Sequence, residues 1–292
     1  MDIGGSHVTA ALLDSGHPFV VRSRSSAALD SSASRDLLLD QLSSVASSLT
    51  ASSWTIALPG PFDYVRGRGD FAGVGKFGSL AGVDLRTELA HRLNVPASEV
   101  RFLNDAVAYA IGEWVCTRDR PGRFVCVALG TGVGSAWLAD GKPVEDGPDV
   151  PPRGWAHLLT FNGRPLEDTV STRAIQADHL RRTGVSMDVR EIAQAARAGD
   201  EAAVASWGTA VRALGQALGP WLHRFGAQRL VVGGSMSRSW DLLEAPLAAG
   251  IAAAGVPVPS LAPAALRDDA PLVGAAHWVS QQPAAPSPAP RP

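Results

Sequence analysis

Two adjacent polar residues and two glycine-rich turns hold most of the chemical potential of this sequence. Asn104-Asp105 directly follows the run Val100-Arg101-Phe102-Leu103 and directly precedes a helical pattern over Ala106 to Val115. An open α/β sheet presents its reactive groups there, at the carboxyl end of a strand. Asn and Asp are also the commonest helix caps, so the pair alone leaves catalysis and capping both open. The turns are Asp2-Ile3-Gly4-Gly5-Ser6-His7 and Gly130-Thr131-Gly132-Val133-Gly134, each leading into a short strand and a hairpin turn. A backbone whose N–H groups converge on an anion must turn sharply and leave room for it, which glycine permits. Two such turns facing each other would grip the two ends of a polyphosphate, whereas either alone reads equally well as an ordinary hairpin.

Hydrophobic periodicity supplies the elements that must position these groups. Phe124 to Leu129 is a continuous apolar run and predicts a buried central strand delivering the second turn. Further strands are expected at Trp54 to Leu58, Val100 to Leu103 and Arg229 to Val232. A long helix is expected from Glu201 to Phe225, with Leu214, Leu218 and Leu222 on one face, and Asp188 with Glu191 has the spacing of a capping box. Strands alternating with helices imply an α/β architecture. The first turn has only Met1 ahead of Asp2. By the chain's internal symmetry a strand is wanting there, so either a start upstream adds roughly six to ten residues of strand, which is the expectation, or the first sheet works with a gap.

With 292 residues the chain can form two lobes with cores of their own. The net charge is −2 and the basic residues form no tract, which argues against a nucleic-acid or anionic-membrane partner and favours a small ligand. Cys116 and Cys126 are too few for a disulfide framework, and the sequence has neither a long apolar run nor a signal-peptide pattern. A cytoplasmic location is therefore expected. The Pro-, Ala- and Ser-rich stretch from Gln281 to Pro292 is expected to be a disordered tail.

Taken in order, Asp2-Ile3-Gly4-Gly5-Ser6, Pro59-Gly60-Pro61-Phe62-Asp63, Leu103-Asn104-Asp105-Ala106, Leu129-Gly130-Thr131-Gly132-Val133-Gly134 and Val231-Val232-Gly233-Gly234-Ser235 resemble the motifs of the ROK family of repressors, open-reading-frame proteins and sugar kinases. The resemblance runs to about His277. It implies the duplicated ribonuclease H-like fold of the actin-like ATPases and hexokinases, with two lobes around an ATP and sugar cleft. A smaller lobe would cover 1–103 and a larger one 104–280, with the last helix returning to the first lobe.

The resemblance also implies roles. Asp2 would act on Mg²⁺ through water, Gly4, Gly5 and Ser6 would line the first phosphate loop, and Gly130, Thr131 and Gly132 the second. Gly233, Gly234 and Ser235 would lie beside the adenosine of ATP. Asn104, His157 and Glu167 would bind the sugar, and Asp105 would be the general base. This agrees with phosphoryl transfer, in which the protein mostly positions the reactants and one carboxylate suffices for the proton.

Two departures from the family pattern bear on specificity. The family's Cys-rich zinc loop is replaced by Leu158 to Arg164, which has no cysteine, so no zinc is expected. The family's sugar-binding glutamate three residues before His157 is replaced by Gly154. Lys76, in Gly73-Val74-Gly75-Lys76-Phe77-Gly78, reads either as a solvated lysine or as a sugar-facing cation. The expected activity is phosphorylation of the 6-hydroxyl of glucose, glucosamine or a kanosamine-type sugar. The Ala-, Arg- and Pro-heavy composition suits a GC-rich genome in which such sugars feed secondary metabolism, including antibiotic formation. The alternative is a non-catalytic sugar-sensing or interaction protein of the same fold, and a homodimer is one possible assembly.

Overall fold

The computed structural model describes residues 1–14, 16 and 19–282. The segment 283–292, most of the expected tail, lies outside the described residues. The chain forms two compact units, one of Met1–Gly112 together with the described residues from Asp268 onward, the other of Glu113–Arg267. The division falls inside a helix, nine residues beyond the 103/104 boundary read from the sequence (112 − 103).

The first unit is built on a five-stranded sheet. Strands β1 (Asp2–Ile3), β2 (His7–Leu13) and β3 (Val21–Ala28) form an antiparallel meander in which Asp2 faces Thr9 and His7 faces Ala28. Val8 and Ala10 of β2 are fully buried, and the period of two puts Thr9 on the other face. Helix α1 (Arg35–Ser44) buries Leu38, Leu39 and Leu42. Strand β4 (Trp54–Leu58) is nearly all buried, and a small hairpin of β5 (Phe62–Asp63) and β6 (Arg68–Gly69) follows it. Helix α2 (Leu85–Leu93) starts at Asp84, whose side chain accepts from the Thr87 N–H, and ends at Asn94 in a left-handed cap. Strand β7 (Val100–Asn104) leads directly into α3 (Asp105–Cys116). The sheet order is β3-β2-β1-β4-β7, with β4 parallel to both β1 and β7.

The second unit repeats this plan. Strands β8 (Arg123–Leu129), β9 (Val133–Ala139) and β10 (Lys142–Pro143) form the meander, and a small hairpin of β11 (Thr160–Phe161) and β12 (Arg164–Pro165) forms in the cysteine-free stretch after His157. Helices α4 (Glu167–Val170), α5 (Thr172–Thr183), α6 (Val189–Arg197) and α7 (Glu201–Phe225) precede β13 (Arg229–Gly233), α8 (Trp240–Ala253) and β14 (Ser260–Pro263). The order β10-β9-β8-β13-β14 matches the first sheet position for position, so β1, two residues long, stands where β8 has seven. The expected capping box forms: Asp188 accepts from the Arg190 and Glu191 N–H groups while Glu191 accepts from the Asp188 N–H. Helix α7 has the predicted limits and turns Trp207, Val211, Leu214, Leu218, Leu222 and Phe225 into the core at helical spacing. Among the described residues no helix is long and apolar enough to cross a membrane.

Helix α9 (Ala270–Ser280) belongs to the first unit. It packs Ala275 and Trp278 with Ala57, Leu103 and Ala108. A β-carbon on Gly274 would lie 1.8 Å from the Ala108 carbonyl oxygen, and one on Gly112 would lie 2.0 Å from that of Ala270. The two backbones therefore touch, and no side chain fits at either position. One residue further along α3, the buried carboxylate of Glu113 accepts from the backbone N–H groups of Ala265 (2.7 Å), Leu266 (2.9 Å) and Arg267 (3.0 Å). Gly274→Val should force α3 and α9 apart and cost about 1 to 3 kcal/mol of stability, read as a lower urea midpoint; an unchanged midpoint would show that this contact carries no weight.

Candidate active site

In the first unit, the first turn is closed by the Gly4 N–H donating to the His7 carbonyl (2.9 Å). The His7 imidazole lies over Gly4, and its Nε2 is 3.7 Å from Asp2 Oδ2. That contact with Asp2 raises the His7 pKa against the opposing effect of burial. Ser6 is exposed at the tip of the turn, and its carbonyl accepts from Leu29 N–H. A β-carbon on Gly5 would lie 3.0 Å from Lys76 Nζ, so the lysine reaches across the loop.

Asn104 and Asp105 divide between them the two roles the sequence left open. Asn104 caps α3: its Oδ1 accepts from the Val107 N–H (3.1 Å), and its Nδ2 donates to Tyr64 Oη (3.1 Å). Tyr64 in turn donates to the Leu58 carbonyl (3.2 Å), which fixes the amide's orientation. Asp105, the first residue of α3, leaves the Val107 N–H to Asn104, and its own Oδ1 accepts from the adjacent Ala106 N–H (2.8 Å). Its pKa is raised to about 6, chiefly by burial and further by the nearby charge of Asp2. The Ala106 N–H and the charge of Lys76 act in the opposite direction.

The second unit holds the remaining candidates. The turn after β8 is closed by the Gly130 N–H donating to the Gly132 carbonyl (3.0 Å), while the Gly130 carbonyl accepts from Thr172 N–H (2.9 Å). Thr131 is exposed at its tip. The end of β13 packs directly on this turn. Gly234 has φ +77°, and a β-carbon there would lie 2.3 Å from the Leu129 carbonyl oxygen, so both the conformation and the close approach require glycine. Buried Gly233 precedes it, and Ser235 follows with its hydroxyl 3.5 Å from where a Gly130 β-carbon would stand.

Glu167, at the start of α4, reaches the same turn, since a β-carbon on Gly132 would meet its Oε1 at 2.2 Å. His157 feels the Glu167 charge, which raises its pKa, but burial dominates and the net shift is downward. The segment that carries His157 is pinned through Gly154. The Gly154 carbonyl accepts from Ser135 Oγ (2.7 Å) and Trp137 Nε1 (3.1 Å), and Ser135 Oγ accepts from Ala156 N–H (2.7 Å). With φ +68° and Trp137 3.4 Å from its would-be β-carbon, position 154 is shaped for glycine. Around it, Arg153 lies over Trp155 (5.1 Å) and Trp155 stacks on His157 (5.3 Å).

The second turn, Gly233 to Ser235 and Glu167 thus come together in one unit, and Asp2, Gly4, Gly5, Asn104 and Asp105 in the other. Four side chains of these surroundings have no role that the sequence shows: His7, which ends the first turn, Tyr64, which follows the Pro59-to-Asp63 motif, and Arg153 and Trp155, which flank Gly154.

A sequence profile of the ROK family matches residues 1–282. This chain belongs to the ROK family. Glucokinase of Thermotoga maritima is 27% identical over 216 residues, which cover 66% of this chain and 66% of that protein, about two thirds of its length. The ROK glucokinase of Streptomyces griseus, solved with glucose and AMPPNP, superposes with a TM-score of 0.73 at 22% identity, covering 96% of this chain and 98% of that one. A ROK transcriptional regulator, a homologue of the E. coli MLC protein, superposes with a TM-score of 0.73 at 20% identity, covering 94% and 76%. The ROK chain described here has the actin-like ATPase fold.

Burial of Asp105 has a consequence for stability. Its folded-state pKa of about 6 lies above the ordinary 3.8, so the folded protein favours the protonated carboxyl. The Asp105 contribution is at its most favourable below about pH 4 and is lost as pH rises through about 6. Asp105→Asn should therefore stabilise the protein by about 1 to 3 kcal/mol at neutral pH, with roughly half that gain near pH 5. Urea unfolding at the two pH values measures it; a loss of stability at neutral pH would contradict the assignment.

Proposed function

We propose that this ROK protein transfers the γ-phosphoryl group of ATP to a hydroxyl of a hexose or amino-hexose, the 6-hydroxyl being the expected acceptor. The observation that carries the reading is Asp105: a half-buried carboxylate directly after the carboxyl end of β7, with the capping of α3 left to Asn104, and ionised at neutral pH with a pKa of about 6. A base works best with a pKa just below the working pH, where it is unprotonated yet still a useful proton acceptor.

In this reading Asp105 takes the proton of the attacking hydroxyl as its oxygen bonds to the γ-phosphorus, and the bond to the bridging oxygen breaks with its electron pair leaving on ADP. Asn104, His157 and Glu167 hold the sugar; Glu167 offers a carboxylate to hydroxyl donors or to an ammonium, which keeps amino-hexoses among the substrates. The N–H groups around Gly4, Gly5 and Ser6 and around Gly130, Thr131 and Gly132 receive the phosphates, because converging backbone donors make an anion site. Gly233, Gly234 and Ser235 line the adenosine.

Magnesium, bound with the nucleotide, would neutralise phosphate charge. Asp2 is the residue that would hold it through water, with its carboxylate largely shielded but still reachable. A single carboxylate acting through water suits an ion held mainly by phosphate oxygens and water.

The experiment is an ADP-release assay over glucose, mannose, N-acetylmannosamine, glucosamine and kanosamine. Turnover should appear with at least one sugar, kcat/KM should rise with pH and level off above about 6, and Asp105→Asn should lower kcat about 100-fold or more with ATP binding retained. Saturable sugar binding without ADP release would instead favour a sensor, and near-normal turnover of Asp105→Asn would remove it as the base.

A further inference from the structure

Lys76 is the residue near this site to which no role has been given. It sits in an exposed loop, but the loop is fixed at both ends of the lysine's reach. Phe71 and Phe77 are buried and pack on each other at 5.5 Å, the Phe77 N–H donates to the Ser31 carbonyl (2.8 Å), and the Lys76 N–H donates to the Val74 carbonyl (2.7 Å). Phe77 takes a left-handed φ of 58°, which turns the chain immediately after the lysine. From this anchor the Lys76 side chain extends over Gly5, with Cε and Nζ each 3.0 Å from where a β-carbon would stand. Its charge is also felt at Asp105, on the opposite side of Asp2 in sign. Among the described residues Lys76 makes no ion pair and no side-chain hydrogen bond to protein. An ammonium held beside a glycine turn and a carboxylate base, and given no protein partner, is placed for an anion that arrives with the substrates.

We infer that Lys76 is a catalytic residue whose ammonium binds the equatorial oxygens of the phosphoryl group in flight between the first glycine turn and the hydroxyl at Asp105. This deepens the kinase reading and rests on it. The lysine transfers no proton. As the bond from the acceptor oxygen to phosphorus forms and the bond to the ADP oxygen breaks, Lys76 donates hydrogen bonds to the equatorial oxygens, and the hydroxyl proton still goes to Asp105. A fixed cation at that place favours the transition state over the ground state, so its loss should fall on kcat. A sugar-facing lysine would instead show its loss in the KM for sugar.

The test compares wild type, Lys76→Met and Lys76→Arg. Lys76→Met should keep the wild-type melting temperature and ADP affinity, change the KM for sugar by less than about threefold, and lower kcat about 100- to 1000-fold; Lys76→Arg should recover part of the loss. Binding of ADP with aluminium fluoride, a mimic of the moving phosphoryl group, is measured alongside in the presence of sugar, and should weaken by a similar factor in Lys76→Met. A wild-type kcat in Lys76→Met, or a loss confined to the KM for sugar, overturns the inference while leaving the kinase reading intact. If wild type turns over no sugar, the kinase reading falls, and the aluminium fluoride measurement still decides on Lys76: equal affinity in wild type and Lys76→Met would overturn it.

Discussion

The chain passes between its two units twice, at Gly112–Glu113 and at Arg267–Asp268, and the carboxylate of Glu113 ties the second passage to the first. Removing a carboxylate from water costs several kcal/mol, and here burial does raise the Glu113 pKa. The three backbone N–H groups it binds offset much of that cost. One residue earlier, Gly112 lets α3 touch the first turn of α9. The two contacts, one in each unit, fall on adjacent residues of the helix whose first residue is Asp105.

The two sheets show how a repeated plan produces two different sites. In each, a central strand runs into a glycine turn and an antiparallel meander follows, and in each the turn is reached by an acidic side chain from elsewhere in its own unit or strand. In the first unit that acid is Asp2, on the strand itself, next to His7. In the second it is Glu167, brought in by α4. The hydrogen-bonded strand holds the turn while the acid and its neighbours differ, which is the route by which a duplicated frame acquires unequal halves.

Much of this was legible in the sequence because the signals are local. The strands at Trp54, Val100, Phe124 and Arg229 appear within a residue of their expected limits, since a buried parallel strand must be a short apolar run. The long helix and the Asp188 capping box rest on periodicity and on spacing of three, which survive any tertiary context. What was not legible depends on contacts distant in sequence. Nothing local shows that Glu113, in the apolar helix pattern of α3, binds backbone near Leu266, or that Tyr64 orients Asn104. The division of labour between Asn104 and Asp105 was open for the same reason: both residue types cap helices, and only the geometry says which one does. Nor does the sequence alone explain Gly154, whose carbonyl is clamped by two residues of β9.

Helix α9 has a further consequence for the way this protein is made. It covers the small apolar group of Ala57, Leu103 and Ala108, yet the whole second unit is encoded between α3 and α9. A ribosome emits the chain from its amino end, so the first sheet emerges with that face bare and stays so until the second unit has been synthesised. The second unit, with its strands and helices contiguous in the chain, can fold as it emerges, whereas the first waits for its last helix. During that interval the exposed face is open to chaperones and to aggregation, and a translational pause before Ala270 would lengthen the exposure.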